Sequence, residues 1–274
     1  MGLQQERTDW LAVAVRAAAA GAAVIRDAAP DIRNLDWRSK GPTDFVSEVD
    51  LAAEAAILAV MGEGVPRATV LAEESAASVP RELLEHGVAI VVDPLDGTTN
   101  FLHGYPEYAV SIAILVDGEP VVGVVHDVPG DEVFTARAGG GAQLNGQPIR
   151  VSDITDPQRA LIGTGFPFRD PNDIDPYHRQ MAAVMAHVSG VRRPGAASID
   201  LASVACGRFD GFWEMMLSPW DFAAGMLLVR EAGGRATDMS GAHLTAFGPS
   251  AVLAGNPAMH RWLQNRLNQS LRTN

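Results

Sequence analysis

The sequence predicts a mixed α/β fold of the α+β kind, built in layers, and three observations lead to it. Between residues 109 and 149, apolar strand-like runs alternate with turn sequences such as Asp-Gly-Glu-Pro, which predicts an antiparallel sheet. From about residue 156 onwards, strands alternate with helices instead. Apolar residues make up 47% of the 274 residues, enough for a sizeable core. We expect one compact unit of two halves, 1–155 and 156–274, with a cleft between them.

The chain is expected to open with two helices. The first covers residues 8–28, where apolar side chains recur on one helical face: Leu11, Val15, Ala18, Ala22 and Ile25. A loop over 29–47 separates it from the second helix, which covers 48–61 and stops at Gly62 and Gly64.

Short strands follow the helices. Two apolar runs, 68–72 and 88–92, precede the antiparallel meander. The meander itself consists of 109–116, 120–127 and 132–136, and the run Gly-Gly-Gly-Ala-Gln-Leu-Asn-Gly-Gln-Pro-Ile continues it.

The alternating half contains four predicted helices and three longer strands. The expected helices are 175–188, 198–206, 219–232 and 256–270, and the expected strands are 160–164, 210–215 and 250–254, with a further short strand after the first helix. Gly233 and Gly234 form the stop signal of the third helix.

Charge and cysteine content exclude several classes of protein. With 21 basic and 33 acidic residues the net charge is −12, which argues against direct binding of nucleic acid. The single cysteine, Cys206, can form no intrachain disulfide, which fits a reducing cytoplasm. No segment is long and apolar enough to span a membrane.

The motif Asp-Pro-Leu-Asp-Gly-Thr-Thr-Asn-Phe at 93–101 is the strongest local signal. Asp93 follows a buried strand, and we expect Pro94 to end the ladder because it has no N–H to donate. Asp96 is then expected to cap a short helix, which leaves the N–H groups of Gly97 and Thr98 as a seat for phosphate. An ordinary Asx-capped turn would have the same residues.

Four further acids stand at the ends of predicted elements. Glu73 and Glu74 follow the strand 68–72, Asp50 opens the second helix, and Asp221 lies in the first turn of the helix 219–232. Each alone fits a solvated turn, a helix cap or a partner of the helix dipole. Together they indicate a cluster of carboxylates, which requires a cation if an anionic substrate is to approach.

These stretches resemble the inositol monophosphatases, within the Mg²⁺-dependent, Li⁺-sensitive phosphatases, over nearly the whole chain, and bacterial members look most similar. The matching stretches are K-G-P-T-D-F-V-S-E-V-D (40–50), L-A-E-E (71–74), D-P-L-D-G-T-T-N-F (93–101), G-A-A-S-I-D-L-A (195–202) and F-W-E-M with P-W-D-F-A-A-G (212–225). The combination of the third and last stretches is highly specific. The resemblance implies the layered αβαβα sandwich of the sugar-phosphatase type and a homodimer.

The resemblance also implies two or three Mg²⁺ ions per subunit. Glu73, Asp93 and the backbone carbonyl of Leu95 would hold one ion. Asp93, Asp96 and Asp221 would hold a second, with a weaker third ion near Glu73. Most of these ligands lie in the half 1–155.

The remaining roles implied by the resemblance concern water and substrate. Thr98 and Asp50 would accept a proton from the attacking water, and Glu74 would orient ligands or waters. Phosphate would bind the N–H groups of Gly97 and Thr98. The ring hydroxyls of myo-inositol 1-phosphate would meet Asp96, the backbone near Gly195 to Ala197, and Glu214. Lys40 is expected either on a flap over the metals or on the plain surface.

Three alternatives stay open at this stage. A phosphatase of the haloacid-dehalogenase type would use an aspartyl-phosphate, but its Asp-x-Asp spacing fits poorly here. A regulatory binding protein could keep the same fold. Within the family, phosphatases of fructose 1,6-bisphosphate, histidinol phosphate or phosphoadenosine phosphate share the metal-binding residues.

Overall fold

The computed structural model describes residues 2–35, 37–41, 44–167 and 170–271. Two helices, α1 (Gly2–Ala28) and α2 (Glu48–Gly64), form its first layer. They cross closely because Gly21 has no side chain: a Cβ there would lie 2.8 Å from Ile57 of the other helix. Their apolar faces pack against the first sheet through a shared buried cluster that includes Ile25, Ile57 and Val110.

The second layer is a seven-stranded sheet. Its strands are β3 (Thr69–Ala72), β4 (Val88–Asp96), β5 (Ala109–Val116), β6 (Glu119–Asp127), β7 (Glu132–Arg137), β8 (Gly141–Leu144) and β9 (Gln147–Ile149). They lie in sequence order, and all neighbouring pairs are antiparallel except β3 with β4. The meander predicted from the turn sequences is confirmed.

Helices α6 (Ala197–Ala205) and α7 (Pro219–Glu231) form the third layer, between the two sheets. Gly123 of β6 makes room for α7, since a Cβ there would lie 2.9 Å from the carbonyl oxygen of Ala224. All nine residues of α6 are buried, as expected for a helix covered on both faces.

A five-stranded sheet is the fourth layer, and α5 (Ile174–Met185) with α8 (Pro257–Ser270) is the fifth. The strand order is β11 (Gly190–Arg192), β10 (Leu161–Thr164), β12 (Gly211–Leu217), β14 (Ser250–Gly255), β13 (Arg235–Thr237). The first three strands are parallel, and β14 runs antiparallel to both of its neighbours. The layered αβαβα sandwich is therefore confirmed.

The sheets divide the chain near the expected boundary, because the first ends at Ile149 and the second begins at Leu161. One buried cluster nevertheless joins them through α6 and α7, with members from Leu71 to Ala254. The division into halves 1–155 and 156–274 stays a prediction. Among the described residues, no helix combines the length and apolarity needed to cross a bilayer.

The expected loop 29–47 is the clearest error of element assignment. It contains a 3-10 helix, Ala29–Asn34, and a hairpin of β1 (Trp37–Gly41) and β2 (Asp44–Ser47). These strands are short and polar, so alternation of apolar residues does not reveal them. The short helices α3 (Arg81–Glu85) and α4 (Thr98–Leu102) and two further 3-10 helices, Pro157–Arg159 and Pro171–Asp173, complete the described elements. The side chain of Lys40 lies outside the described residues, so its expected role stays a prediction.

Candidate active site

A pocket of about 400 Å³ opens where the ends of β3, β4 and β12 meet the starts of α4, α6 and α7. Ten of the predicted site residues line it: Glu73, Asp93, Leu95, Asp96, Gly97, Thr98, Gly195, Ala197, Glu214 and Asp221. Asp50 and Glu74 are not among its lining residues. The structure therefore brings together residues that are up to 148 positions apart in the sequence, from Glu73 to Asp221.

A bulge in β4 creates the spacing of the two aspartates in the motif. Asp93 lies opposite Ser111 and Asp96 opposite Ala109, so three steps on β4 match two on β5. The expectation that Pro94 ends the ladder is therefore wrong. A bulge leaves one residue unpaired, which accommodates a proline that cannot donate.

Asp96 does not cap the following helix, contrary to the prediction. The residue before α4 is Gly97, with φ of 89°, and it makes no side-chain cap. A Cβ on Gly97 would also lie 2.7 Å from the carbonyl oxygen of Glu107, so both backbone and space require glycine. Asp96 instead accepts hydrogen bonds from the N–H, at 2.8 Å, and the hydroxyl of Ser198.

Asp93 lies in an unfavourable electrostatic position in the pocket. Burial, followed by repulsion from Glu73, Asp96 and Asp221, raises its pKa well above the usual range. One oxygen, Oδ1, accepts the N–H of Leu95 at 3.0 Å. Among the described residues no basic side chain forms an ion pair with Asp93. Burial likewise raises the pKa of Asp96 to about 6, although Ser198 opposes the shift.

Asp221 is held at the start of α7 by a capping box. Its Oδ2 accepts the N–H of Ser218, the N-cap residue, at 2.7 Å. The hydroxyl of Ser111 on β5 donates to the carbonyl of Trp220 at 3.0 Å and ties this turn to the first sheet. The prediction that Asp221 lies in the first turn of this helix is confirmed.

Asp50 and Thr98 form a hydrogen-bonded pair at the edge of the pocket. The hydroxyl of Thr98 lies 2.8 Å from Oδ1 of Asp50 and 2.9 Å from the carbonyl oxygen of Leu95. The other oxygen of Asp50 accepts the N–H of Ser47 at 2.8 Å in a capping box at the start of α2. Burial raises the pKa of Asp50, and the hydrogen bonds from Ser47 and Thr98 oppose that shift. The carboxylate is thus fixed in place and directed at the threonine.

Glu73 and Glu74 follow β3 directly, as predicted. The N–H of Glu73 donates to the carbonyl of Val92 at 3.2 Å, so the parallel pairing of β3 and β4 extends to the pocket. The N–H of Glu74 donates to Oε2 of Glu54, a buried residue of α2, at 2.9 Å. Glu54 was not among the predicted site residues, although an acid among the alanines of a buried helix face is a signal for it.

The opposite wall of the pocket comes from the second half of the chain. Gly195 has φ of 100°, and a Cβ there would lie 2.7 Å from Nη1 of Arg193. Ala197 begins α6, and Glu214 lies on β12. Arg193 stacks on the ring of Phe166 at 5.0 Å, and both residues line the pocket.

Three polar residues near this wall were not predicted: Ser198, Asp200 and Glu107. Asp200 is fully enclosed in α6, and burial, followed by repulsion from Glu214, Glu107 and Asp96, raises its pKa well above the usual range. Burial and repulsion from Asp127 and Asp96 raise the pKa of Glu107 to about 7. An aspartate within an otherwise apolar helix could have drawn attention to Asp200, but no local pattern indicates Glu107.

The donor atoms of this pocket suit Mg²⁺, which binds oxygen ligands and most often carboxylates. Seven acids line it: Glu73, Asp93, Asp96, Asp170, Asp173, Glu214 and Asp221. Burial, followed by repulsion from three of the others, opposes the charged form of Asp93, and a bound cation would relieve this. As the side chains stand, no three His, Cys, Asp or Glu residues in the described ranges form a group that could hold an ion. The residue types that line the pocket, and not a preformed cage, are therefore what indicates a Mg²⁺ site.

The layers and the acid-lined pocket between the two sheets define a sandwich of the sugar-phosphatase type. The model of the inositol monophosphatase family matches residues 6–273. The chain is 43% identical to the inositol-1-monophosphatase of Mesorhizobium japonicum over 266 residues, which cover 97% of this chain and 98% of that protein. It is also 43% identical to the Nus factor SuhB of Salmonella typhimurium, over 90% of this chain and 91% of that protein.

A solved structure agrees with these similarities. The extragenic suppressor protein suhB from Bartonella henselae superimposes with a TM-score of 0.87 at 40% identity, covering 94% of this chain and 97% of that one. The chain therefore belongs to the inositol monophosphatase family, and this membership supports the view that the protein is a phosphatase.

Proposed function

We propose that the protein is a Mg²⁺-dependent phosphomonoesterase that hydrolyses myo-inositol 1-phosphate to inositol and phosphate. The observation that carries this proposal is the set of four carboxylates, Glu73, Asp93, Asp96 and Asp221, around one pocket with the Asp50–Thr98 pair at its edge. Glu73, Asp93 and the carbonyl of Leu95 would hold one ion, and Asp93, Asp96 and Asp221 a second. A third, weaker site near Glu73 belongs to the same proposal.

Bound Mg²⁺ supplies positive charge for the phosphate and lowers the pKa of a coordinated water. The chain itself supplies the proton acceptor. Thr98 receives a proton from the attacking water and passes its own to Oδ1 of Asp50, 2.8 Å away. Glu74 orients ligands or waters from its position after Glu73. The N–H groups of Gly97 and Thr98 bind phosphate oxygens.

Substrate choice rests on the wall formed by the second half of the chain. The ring hydroxyls form hydrogen bonds with this wall. The carboxylates of Glu214 and Asp96 accept bonds from them, and the backbone from Gly195 to Ala197 provides further partners. The relative from Mesorhizobium japonicum carries the name inositol-1-monophosphatase, which supports this substrate. Fructose 1,6-bisphosphate, histidinol phosphate and phosphoadenosine phosphate are the alternatives within the family.

A panel of phosphate esters tests the proposal. Released phosphate is measured for myo-inositol 1-phosphate and the three alternative esters, with Mg²⁺, with EDTA and with Mg²⁺ plus Li⁺. We expect the inositol ester to be cut fastest, only with Mg²⁺, and more slowly with Li⁺. No release from any ester at saturating Mg²⁺ would overturn the proposal. A cytoplasmic location and a homodimer complete it; the mass of the protein in solution tests the latter.

A second candidate function follows from the Salmonella relative, which is called a Nus factor. A regulatory role of that kind would use the surface of the fold and not the acids of the pocket. The variant Asp93→Asn separates the two functions in cells that lack the wild-type protein. Full complementation by this variant favours the regulatory role, and failure with normal protein levels favours hydrolysis.

A further inference from the structure

Gly165 and Glu214 lie next to each other in the lining of the pocket. Gly165 directly follows β10, whose neighbour β12 carries Glu214, and the parallel register places Thr164 opposite Trp213. A Cβ on Gly165 would lie 1.9 Å from the carboxyl carbon of Glu214 and 2.1 Å from each of its oxygens. The carboxylate of Glu214 therefore fills the volume that any side chain at position 165 would need.

The backbone of Gly165 does not itself require glycine. The glycines with positive φ include Gly97 and Gly195 at this site, but not Gly165. Position 165 therefore lacks the left-handed backbone that would by itself disfavour alanine. The space held by the Glu214 carboxylate is thus the feature that excludes a side chain at this buried position.

The chain around Gly165 is fixed by aromatic and hydroxyl contacts. The hydroxyl of Thr164 lies 3.3 Å from that of the buried Tyr177. The ring of Phe166 meets Tyr177 edge-on at 5.7 Å, and Tyr177 stacks with Trp213 at 6.1 Å. An added methyl group at position 165 would therefore displace the end of the flexible Glu214 side chain in preference to the backbone.

We propose that Gly165 is a positioning residue that sets the place of the Glu214 carboxylate and thereby the preference for polyol phosphates. This inference rests on the proposed function, in which Glu214 binds a ring hydroxyl. Gly165 lines the pocket but has no side chain with which to bind substrate. Its effect reaches the substrate only through Glu214, and this distinguishes it from a residue that merely supports the fold.

The first test is kinetic. Gly165→Ala should raise KM for myo-inositol 1-phosphate roughly ten- to a hundredfold, as expected when a hydrogen bond to a charged group is lost. KM and kcat for 4-nitrophenyl phosphate, which has no ring hydroxyls, should stay within about twofold. Gly62→Ala is the matched control, because Gly62 is exposed and a Cβ there meets nothing within 4 Å. Equal losses on both substrates would overturn the proposal.

The second test is a double-mutant cycle. Glu214→Ala removes the carboxylate, so adding Gly165→Ala should change KM for myo-inositol 1-phosphate by less than about twofold. Additive effects of the two substitutions would mean that Gly165 acts independently of Glu214 and would overturn the proposal.

The third test needs no activity. In a crystal structure of Gly165→Ala, we expect the Glu214 carboxylate to have left its place while the backbone of 164–166 stays. A carboxylate in its original place beside a shifted backbone would contradict the proposal. If the wild-type protein cuts neither ester, the proposed function fails, and this structure still decides whether Gly165 positions Glu214.

Discussion

Two acids of the same seven-stranded sheet, Glu132 on β7 and Asp93 on β4, have opposite electrostatic surroundings. Glu132 pairs with Arg208, whose Nη2 lies 2.6 Å from its Oε1, and this bond lowers the pKa of Glu132. Asp93 is buried beside three other acids, and its pKa is raised well above the usual range. The fold therefore satisfies the charge of the first acid by itself. It leaves the charge of the second to a proton or a cation from solution, which points to ligand binding at Asp93.

The largest effect is expected from Asp93→Asn. Hydrolysis of myo-inositol 1-phosphate should fall at least about 10³-fold, because the carboxylate shared by both proposed ions is lost. The melting temperature in EDTA should not fall, because the substitution removes a repelled charge. Phosphate release and thermal unfolding measure the two effects.

Asp153→Asn serves as the control, since its side chain is 77% exposed and pairs with Arg150 on the surface. It should leave both quantities unchanged. Normal hydrolysis by Asp93→Asn would contradict the prediction, because Asp93 would then be no more important for activity than an exposed acid such as Asp153.

Magnesium itself should have the second largest effect. At a concentration of about 100 times the Kd, a ligand that binds only the native state adds about 2.7 kcal/mol to the free energy of unfolding. Urea unfolding with Mg²⁺ and with EDTA measures this difference. We expect Asp93→Asn to lose the gain and Asp153→Asn to keep it. If saturating Mg²⁺ leaves the urea unfolding curve of the wild-type protein unchanged, the proposed metal site is contradicted.

Glu107 resembles Asp93 in this comparison because its pKa is also raised, and Glu107→Gln tests the effect of that shift on stability. Burial is the first cause of the pKa of about 7 at Glu107, against 4.5 ordinarily, so between these values the native state holds a proton that the unfolded chain has released. The free energy of unfolding therefore falls as pH rises through this window and levels off above it.

In Glu107→Gln the free energy of unfolding does not fall in this way. At about pH 8 it should therefore exceed that of the wild-type protein by about 1 kcal/mol, after allowance for solvent screening. The gain should vanish near pH 4. Urea unfolding at both pH values in EDTA measures it. A gain that is the same at both pH values would mean that the ionisation of Glu107 is not its cause.

The smallest effect is expected from Glu132→Gln, which breaks the pair with Arg208. An exposed ion pair contributes about 0.5 kcal/mol, so the free energy of unfolding should fall by that amount at neutral pH. Because the pKa of Glu132 is lowered, this contribution is present above 4.5 and disappears as pH falls through the native pKa. Hydrolysis should not change. A loss of activity would show that the two acids are coupled.

The sequence predicts the larger elements of this fold because their signals are local. The meander, α2 with its stop near Gly64, and α7 with Asp221 in its first turn all follow from periodicity, caps and turn residues. Glu73 and Asp93 could be placed near strand ends for the same reason. The resemblance to the inositol monophosphatases, and not a local signal, added Leu95, Gly195, Ala197 and Glu214. Together the two kinds of evidence identified ten residues that line the pocket.

The errors have long-range causes. Pro94 would end an isolated strand, but pairing with β5 resumes beyond it at Ala109. Asp96 has the composition of a helix cap, but Ser198, 102 residues later, provides its hydrogen-bond donors. No local rule indicates a partner at that separation, so such bonds can be found only in the folded structure.

The bond between Asp96 and Ser198, together with the place of Asp221 in α7, has a consequence for synthesis of the protein. A ribosome makes Asp50, Glu73, Asp93 and Asp96 well before it reaches either partner. A nascent chain shorter than about 220 residues carries most of the acids with no closed pocket to hold them. Binding of the proposed ions would therefore require a nearly complete chain.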